Sequence, residues 1–144
     1  MMKKTMNMTN DIQNSQQWIN ESGEEITSEH YGFIYEIINL QSGKRYIGRK
    51  YFTRAASKVV KGKKKKIRLE SNWHNYYGSN KQLLEDVKVM GKQSFVRKII
   101  HLAKSRSECS YYESKEIFQR DALLSDDYYN QWISCRIQSA HLIK

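Results

Sequence analysis

Residues 31–50 read YGFIYEIINLQSGKRYIGRK, and the reading of the whole chain works outward from them. Two apolar runs, Gly32 to Ile38 and Arg45 to Gly48, flank Asn39 to Lys44, with Ser42-Gly43 at the bend. β-Branched and aromatic residues on both sides of a glycine-containing loop predict a β-hairpin. Tyr35 and Tyr46 fall on opposite arms, and the obvious register sets the two phenols near each other on one face.

The 144 residues are long enough for one core and too short for two comfortable ones. A hydrophobic content of 39% and an aromatic content of 12% exclude a disordered chain. Lys and Arg number 25 against 15 Asp and Glu, a formal net charge of +10, which points to a polyanionic partner and first to nucleic acid. Cys109 and Cys135 have no metal-ligand spacing and read as thiols of a reducing compartment. No apolar run reaches membrane-spanning length, and the polar start of the chain is unlike a signal peptide. The expectation is a protein without membrane segments, in the cytoplasm.

Residues 1–29 are polar and predict a tail, partly helical around Asp11 to Asn20 with Asn10 as cap, then a lead-in strand at Glu24 to Thr27. After the hairpin, residues 49–68 read RKYFTRAASKVVKGKKKKIR. Adjacent ammonium groups repel, so an insertion near 53–68 is expected as a solvated loop that tracks phosphates, with Arg49, Lys63, Lys64, Lys65, Lys66 and Arg68 as contacts. Trp73, His74, Tyr76 and Tyr77 cluster before a Gly-Ser turn, as core or as the edge of a site. Lys81 to Met90 carries Leu83, Leu84 and Val87 on one face and predicts an amphipathic helix ended by Gly91 in αL geometry. A third strand is expected at Ser94 to Leu102. A second helix follows from Cys109 to about Leu124, capped by Ser107 or Ser110, and a short strand at Tyr128 to Ile133. The sum is a small α+β domain over residues 30–137, a three-stranded antiparallel sheet flanked by helices, with residues 138–144 as a tail.

Phe33-Ile34-Tyr35 and Tyr46-Ile47-Gly48 on one hairpin resemble the GIY-YIG nuclease superfamily. In that family a helix, a third strand and a second helix with a metal-binding glutamate follow, then a Tyr-Asn pair. Glu113 stands where the glutamate falls, and Tyr129-Asn130 matches the pair. Tyr-Ile-Gly-x-Lys-x-Phe at 46–52 and Ser-x-Trp-x-x-Tyr-Tyr-Gly-Ser at 71–79 look like the small Seg-like phage endonucleases of homing type. Two departures stand out. Phe33 occupies the place of the family's first glycine, with Gly32 before it. Ala56 lies where many members carry an arginine, leaving Lys50, Arg54 and Arg68 as candidates, with His74 or Tyr76 as the following partner.

The resemblance implies hydrolysis of DNA phosphodiesters with one Mg²⁺ or Mn²⁺ ion on Glu113, since Mg²⁺ prefers oxygen ligands and keeps most of its waters. It implies Tyr46 or a lysine beside it as proton relay, Tyr35 as the group that orients the water or Tyr46, Lys50, Arg54 or Arg68 on the scissile phosphate, His74 at the site's edge and Asn130 as a brace. Tyr76 joins the DNA contacts. A tyrosine is a base near neutral pH only if nearby cations lower its pKa, and the lysines and arginines around Tyr46 are consistent with that. Plain strand packing for the tyrosines and an exposed position for Glu113, with Glu116 as rival ligand, are the structural alternatives. A non-catalytic nucleic-acid-binding module on the same scaffold and a small basic RNA- or ribosome-binding protein are the functional ones. DNA is the expected partner, met by a monomer or a transient dimer.

Overall fold

The computed structural model describes residues 17–136 and 139–142. The elements in chain order are β1 (Trp18–Asn20), β2 (Gly32–Asn39), β3 (Arg45–Tyr51), β4 (Thr53–Val60), β5 (Lys63–Glu70), α1 (Lys81–Met90), β6 (Phe95–Ala103) and α2 (Arg106–Gln119). Single 3-10 turns stand at Trp73–Asn75, Lys92–Ser94 and Ser139–His141. No described helix is long and apolar enough to cross a membrane.

The predicted hairpin is the centre of the molecule. β2 pairs antiparallel with β3 on one side and with β6 on the other. It is buried along nearly all its length, as a strand covered on both faces must be. The side chains alternate accordingly. Phe33, Tyr35 and Ile37 join Leu83 and Val87 of α1, with Phe52 and Tyr77, in one core cluster. Ile34 and Ile47 join Cys109 and Ile117 of α2 in a second. The two helices therefore cover opposite faces of the sheet.

The expected three strands are four, in the order β1-β6-β2-β3. β1 lies in the segment read as a tail and pairs parallel with β6, Trp18 opposite Arg97 and Asn20 opposite Ile99. Trp18 explains the docking. Its ring meets Phe33 and Tyr35 edge-on at 5.0 and 5.5 Å, and its Nε1–H donates to the Trp73 carbonyl at 2.7 Å. The expected helix cannot reach Asn20; its remainder, residues 11–16, lies outside the described residues. The lead-in strand at Glu24 to Thr27 does not form.

The basic insertion is not a loop. β4 and β5 form a separate two-stranded antiparallel ribbon from Thr53–Glu70 to Val60–Lys63. Lys61 and Gly62 close it with φ of 52° and 77°, the two positive values that a two-residue primed turn requires. Charge repulsion keeps the lysines in water but does not forbid a strand, because alternation sends neighbouring side chains to opposite faces. The lysines from 63 to 66 are all exposed.

α1 starts and ends where expected. The Asn80 side chain accepts from Leu83 N–H at 2.9 Å, and Gly91 follows at φ 91° and ψ 149°, outside αL but open to glycine. α2 begins three residues before the expected start, capped by Ser105 rather than Ser107 or Ser110. Ser105 Oγ accepts from Glu108 N–H at 3.1 Å, and Glu108 reaches back to Lys104 N–H at 3.1 Å, a variant of the capping box. Tyr128 to Ile133 is not a strand: only Tyr128 bridges to Arg45. The buried Glu36 carboxylate takes Arg45 at 2.9 Å and Arg120 at 2.8 Å, joining the start of β3 to the residue after α2.

Candidate active site

β3 is an edge strand, and a cavity of about 260 Å³ lies along it. Tyr35, Tyr46, Arg49, Glu113 and Asn130 all line this cavity.

Register and parity bring them there. Tyr35 faces Gly48 across β2 and β3, and Tyr46 faces Ile37, so the phenols sit diagonally on one face with ring centroids 6.1 Å apart. Gly48 is the gap that admits Tyr35. A Cβ at residue 48 would run into the Tyr35 hydroxyl oxygen and lie 2.5 Å from Cζ. Arg49, one residue on, points to the other face, where α2 presents Glu113. Arg49 Nη1 donates to Glu113 Oε1 at 2.7 Å, with both side chains largely buried.

Asn130 closes the open edge of the strand. Its Oδ1 accepts from Ile47 N–H at 3.0 Å and its Nδ2 donates to the Ile47 carbonyl at 2.8 Å, as a neighbouring strand would. The segment bearing it is fixed at several points. Tyr129 N–H donates to the Arg45 carbonyl at 2.7 Å, and Tyr129 Oη donates to Asp86 Oδ2 at 2.7 Å. Asn80, the α1 cap, donates to the Tyr129 carbonyl at 2.9 Å. The same asparagine thus starts a helix and holds the chain beside the site.

Burial sets the electrostatics. It pushes the Tyr35 hydroxyl well above the ordinary tyrosine value, with Tyr76 and Tyr46 adding to the effect. Tyr46 also moves up: burial outweighs the lowering by its Ser79 partner, 3.2 Å away, and by Arg49. The expected lowering of Tyr46 by surrounding cations is therefore not found, because Glu113 offsets the arginine and the lysines lie elsewhere. Burial raises Glu113 as well, and Arg49 draws it back. Cys109, pushed up to about 12 by burial, is inert packing under α2.

The other expected site residues lie elsewhere. Lys50 leaves the cavity and sits 4.1 Å over the Tyr76 ring, in an adjoining groove that also takes Arg54 and Arg68. His74 does not line the cavity; it is exposed, stacked on Trp73 at 3.7 Å and 3.2 Å from Glu70. Arg97 of β6 donates to the His74 and Tyr76 carbonyls at 3.0 and 2.9 Å, which ties this turn to a strand on the other side of β2 from β3. Arg49, expected among DNA contacts, is the cation that the structure places in the cavity. Strand parity was half of the signal, since residue 49 shares its face with Ile47; that α2 covers this face is seen only in the fold. Glu116, the rival to Glu113, instead holds Arg120 at 3.1 Å.

Residues 13–133 match the family model described as "Putative endonuclease segE, GIY-YIG domain". The chain belongs to the GIY-YIG family. Over 100 residues it is 31% identical to the protein named "Putative endonuclease segE" of Enterobacteria phage T4, which covers 69% of this chain. The match takes in 40% of that relative, so the chain spans well under two thirds of its length. No solved structure matches it. The departure from the GIY-YIG pattern at Phe33 has a physical basis. Phe33 is wholly buried, while at Gly32 a Cβ would lie 2.6 Å from the Lys50 carbonyl oxygen and 2.9 Å from Cys109 Sγ.

Proposed function

We propose that this chain is a metal-dependent DNA endonuclease that hydrolyses phosphodiester bonds. The observation that carries the reading is the convergence of Tyr46, Arg49 and Glu113 on one cavity. Hydrolysis at phosphorus needs a placed water, a neutralised phosphoryl group and a route for the water's proton. A cation and a carboxylate 2.7 Å apart beside one buried and one half-buried phenol offer those parts. No cluster of three or more His, Cys, Asp and Glu that would hold a metal without substrate occurs among the described residues. The donor chemistry still fits Mg²⁺ or Mn²⁺, because one carboxylate with substrate phosphate oxygens and waters is an ordinary Mg²⁺ site. Glu113 would hold the single ion, which when bound supplies Lewis-acid polarisation of the phosphoryl oxygen and an acidified water.

Arg49 then contacts the nonbridging oxygens as charge builds there. As the water oxygen bonds to phosphorus, Tyr46 takes its proton on Oη and releases its own toward Ser79 and solvent. A tyrosine kept protonated by burial suits such an exchange, since it begins and ends neutral. The P–O3′ bond breaks, and the leaving oxygen takes a proton from solvent. Tyr35 fixes the position of Tyr46, and Asn130 fixes β3 beneath both. The exposed ribbon supplies phosphate contacts, and a role of homing type, implied by the resemblance to the Seg-like endonucleases, is the finest part of this proposal.

The test is supercoiled plasmid with Mg²⁺ or with EDTA, beside Glu113→Ala. Nicked or linear product that needs Mg²⁺ and Glu113 is expected. Salt-sensitive binding with no product from any DNA would leave a binding module instead.

A further inference from the structure

A second concavity adjoins the cavity and shares Arg49 with it. Its volume is about 470 Å³. Three tyrosines, Tyr31, Tyr51 and Tyr76, line it, with Lys50, Arg54, Arg68 and Arg106 around them, and no carboxylate among the described residues faces it. Nor is any of these four cations ion-paired among the described residues, whereas the Arg49 guanidinium is. Unpaired cations on one wall repel one another, and ordinary packing gives no reason to gather them.

Three are held in place by aromatic rings. Lys50 lies 4.1 Å over Tyr76, Arg68 5.5 Å over Tyr31 and Arg106 5.9 Å over Tyr51. Thr53 fixes Arg68 further, taking Nε on its hydroxyl and Nη2 on its carbonyl, both at 3.0 Å. Arg106 is the first residue of α2, where the helix end is already positive and a further cation works against the helix. Its position makes sense if an anion lies there. A polynucleotide strand leaving the cavity past Arg49 enters this groove directly.

We infer that the groove bounded by Arg54, Arg68 and Arg106 holds the sugar-phosphate backbone of the cleaved strand, on one side of the scissile bond. The inference rests on the nuclease reading and adds a substrate subsite to it. Tyr31 and Tyr51 are its floor, and Arg106 is its most telling member, since no motif marks it.

The test measures binding of a 20-base-pair duplex by the Glu113→Gln protein over a range of salt concentrations, with Arg68→Ala, Arg106→Ala and the pair. Each substitution is expected to lower the slope of log Kd against log salt by about 1, and the pair by about 2. Arg106→Lys should restore it, which a fold defect would not allow, and Lys88→Ala on the exposed side of α1 should leave it unchanged. In otherwise unaltered protein the two alanine variants should raise the half-saturating plasmid concentration severalfold, with the rate at saturating DNA nearly kept. Unchanged slopes would overturn the inference while leaving the nuclease reading intact, provided the parent cuts DNA. A collapsed saturated rate with unchanged slopes would also overturn it, by placing the arginines on the reacting phosphate. If the parent cuts nothing but the slopes fall as expected, the groove holds a DNA backbone while the nuclease reading, and with it the cleaved strand and scissile bond, is overturned.

Discussion

Gly48→Ala isolates the link between the fold and the site. The backbone at residue 48 would accept alanine, since it is not among the residues with positive φ. The obstacle is the Tyr35 ring, whose Cζ would lie 2.5 Å and Cε1 3.0 Å from the new methyl. Tyr35 can yield only toward the cavity that it lines. It is 1% exposed and bounded by the rings of Trp18 at 5.5 Å, Tyr76 at 5.9 Å, and Phe33 and Tyr46 at 6.1 Å. Forcing a methyl into such packing costs about 1–3 kcal/mol. A domain near this size then melts lower by about 2–4 °C for each kcal/mol. Activity should fall further than stability, because relief comes by pushing Tyr35 toward Tyr46 and the cavity.

A double-mutant cycle with Tyr35→Leu measures the contact itself. Leucine removes the ring atoms that the methyl meets, so in that background Gly48→Ala should be neutral or stabilise by about 0.5 kcal/mol through the unfolded chain. The coupling between the two sites is then about 1–3.5 kcal/mol, read from urea denaturation followed by tryptophan fluorescence. An equal cost for Gly48→Ala in both backgrounds would refute the reasoning, and with it the claim that the glycine exists to admit the tyrosine.

Nicking activity should rise with pH through a value above the ordinary glutamate range, because burial raises Glu113 and the proposed mechanism uses it ionised. Arg49→Gln removes the group that favours the ionised form, so the acid limb of its residual activity should move higher still; a limb that moved lower would refute the coupling. Tyr46→Phe keeps the ring packing and deletes the relay, and should slow saturated nicking by about 10²-fold or more with duplex binding nearly unchanged. Replacing Lys63 through Lys66 by alanine should lower the salt slope of duplex binding by about 2–4, and an unchanged slope would remove the ribbon from the DNA interface. Asn130→Asp retains the acceptor for Ile47 N–H but sets a carboxylate oxygen against the Ile47 carbonyl; a loss of about 2–3 kcal/mol in urea denaturation is expected, and a neutral result would show that the edge pairing carries no weight.

Much of this was legible because a hairpin with alternating side chains leaves few choices. Tyr35, Tyr46 and Gly48 share a face by parity alone, and the Asn80 and Gly91 boundaries of α1 follow from local chemistry. β1 was not legible, since Trp18 to Asn20 becomes a strand only by docking on β6, a contact some eighty residues away in sequence. The ribbon was misread for a different reason. Four consecutive lysines look incompatible with order, yet the Lys61-Gly62 turn and the alternation around it satisfy a hairpin without burying any charge. The start of α2 had two equal signals, Ser105-x-x-Glu108 and Ser110-x-x-Glu113, and only the fold chooses the first. The ion pair between Arg49 and Glu113 needed two facts together, strand parity and the face that α2 covers, and only the fold supplies the second.

Placing a site on an edge strand solves one problem and creates another. β3 has to be open on one side for a long polymer to reach Arg49 and the cavity, but an open strand edge leaves backbone groups unpaired and invites association with other chains. Here the edge is closed at single residues rather than by a fifth strand. Asp127 and Tyr129 pair with Arg45, and the Asn130 amide pairs with both groups of Ile47. That arrangement satisfies the backbone at the two residues that flank Tyr46 and leaves the outward side of Gly48 to Lys50 without a strand partner among the described residues. The Tyr-Asn pair is thus a substitute for a strand, short enough to keep the cavity accessible and rigid enough, through Asp86 and Asn80, to fix β3. On this view the asparagine acts by holding the strand that carries Tyr46 and Arg49.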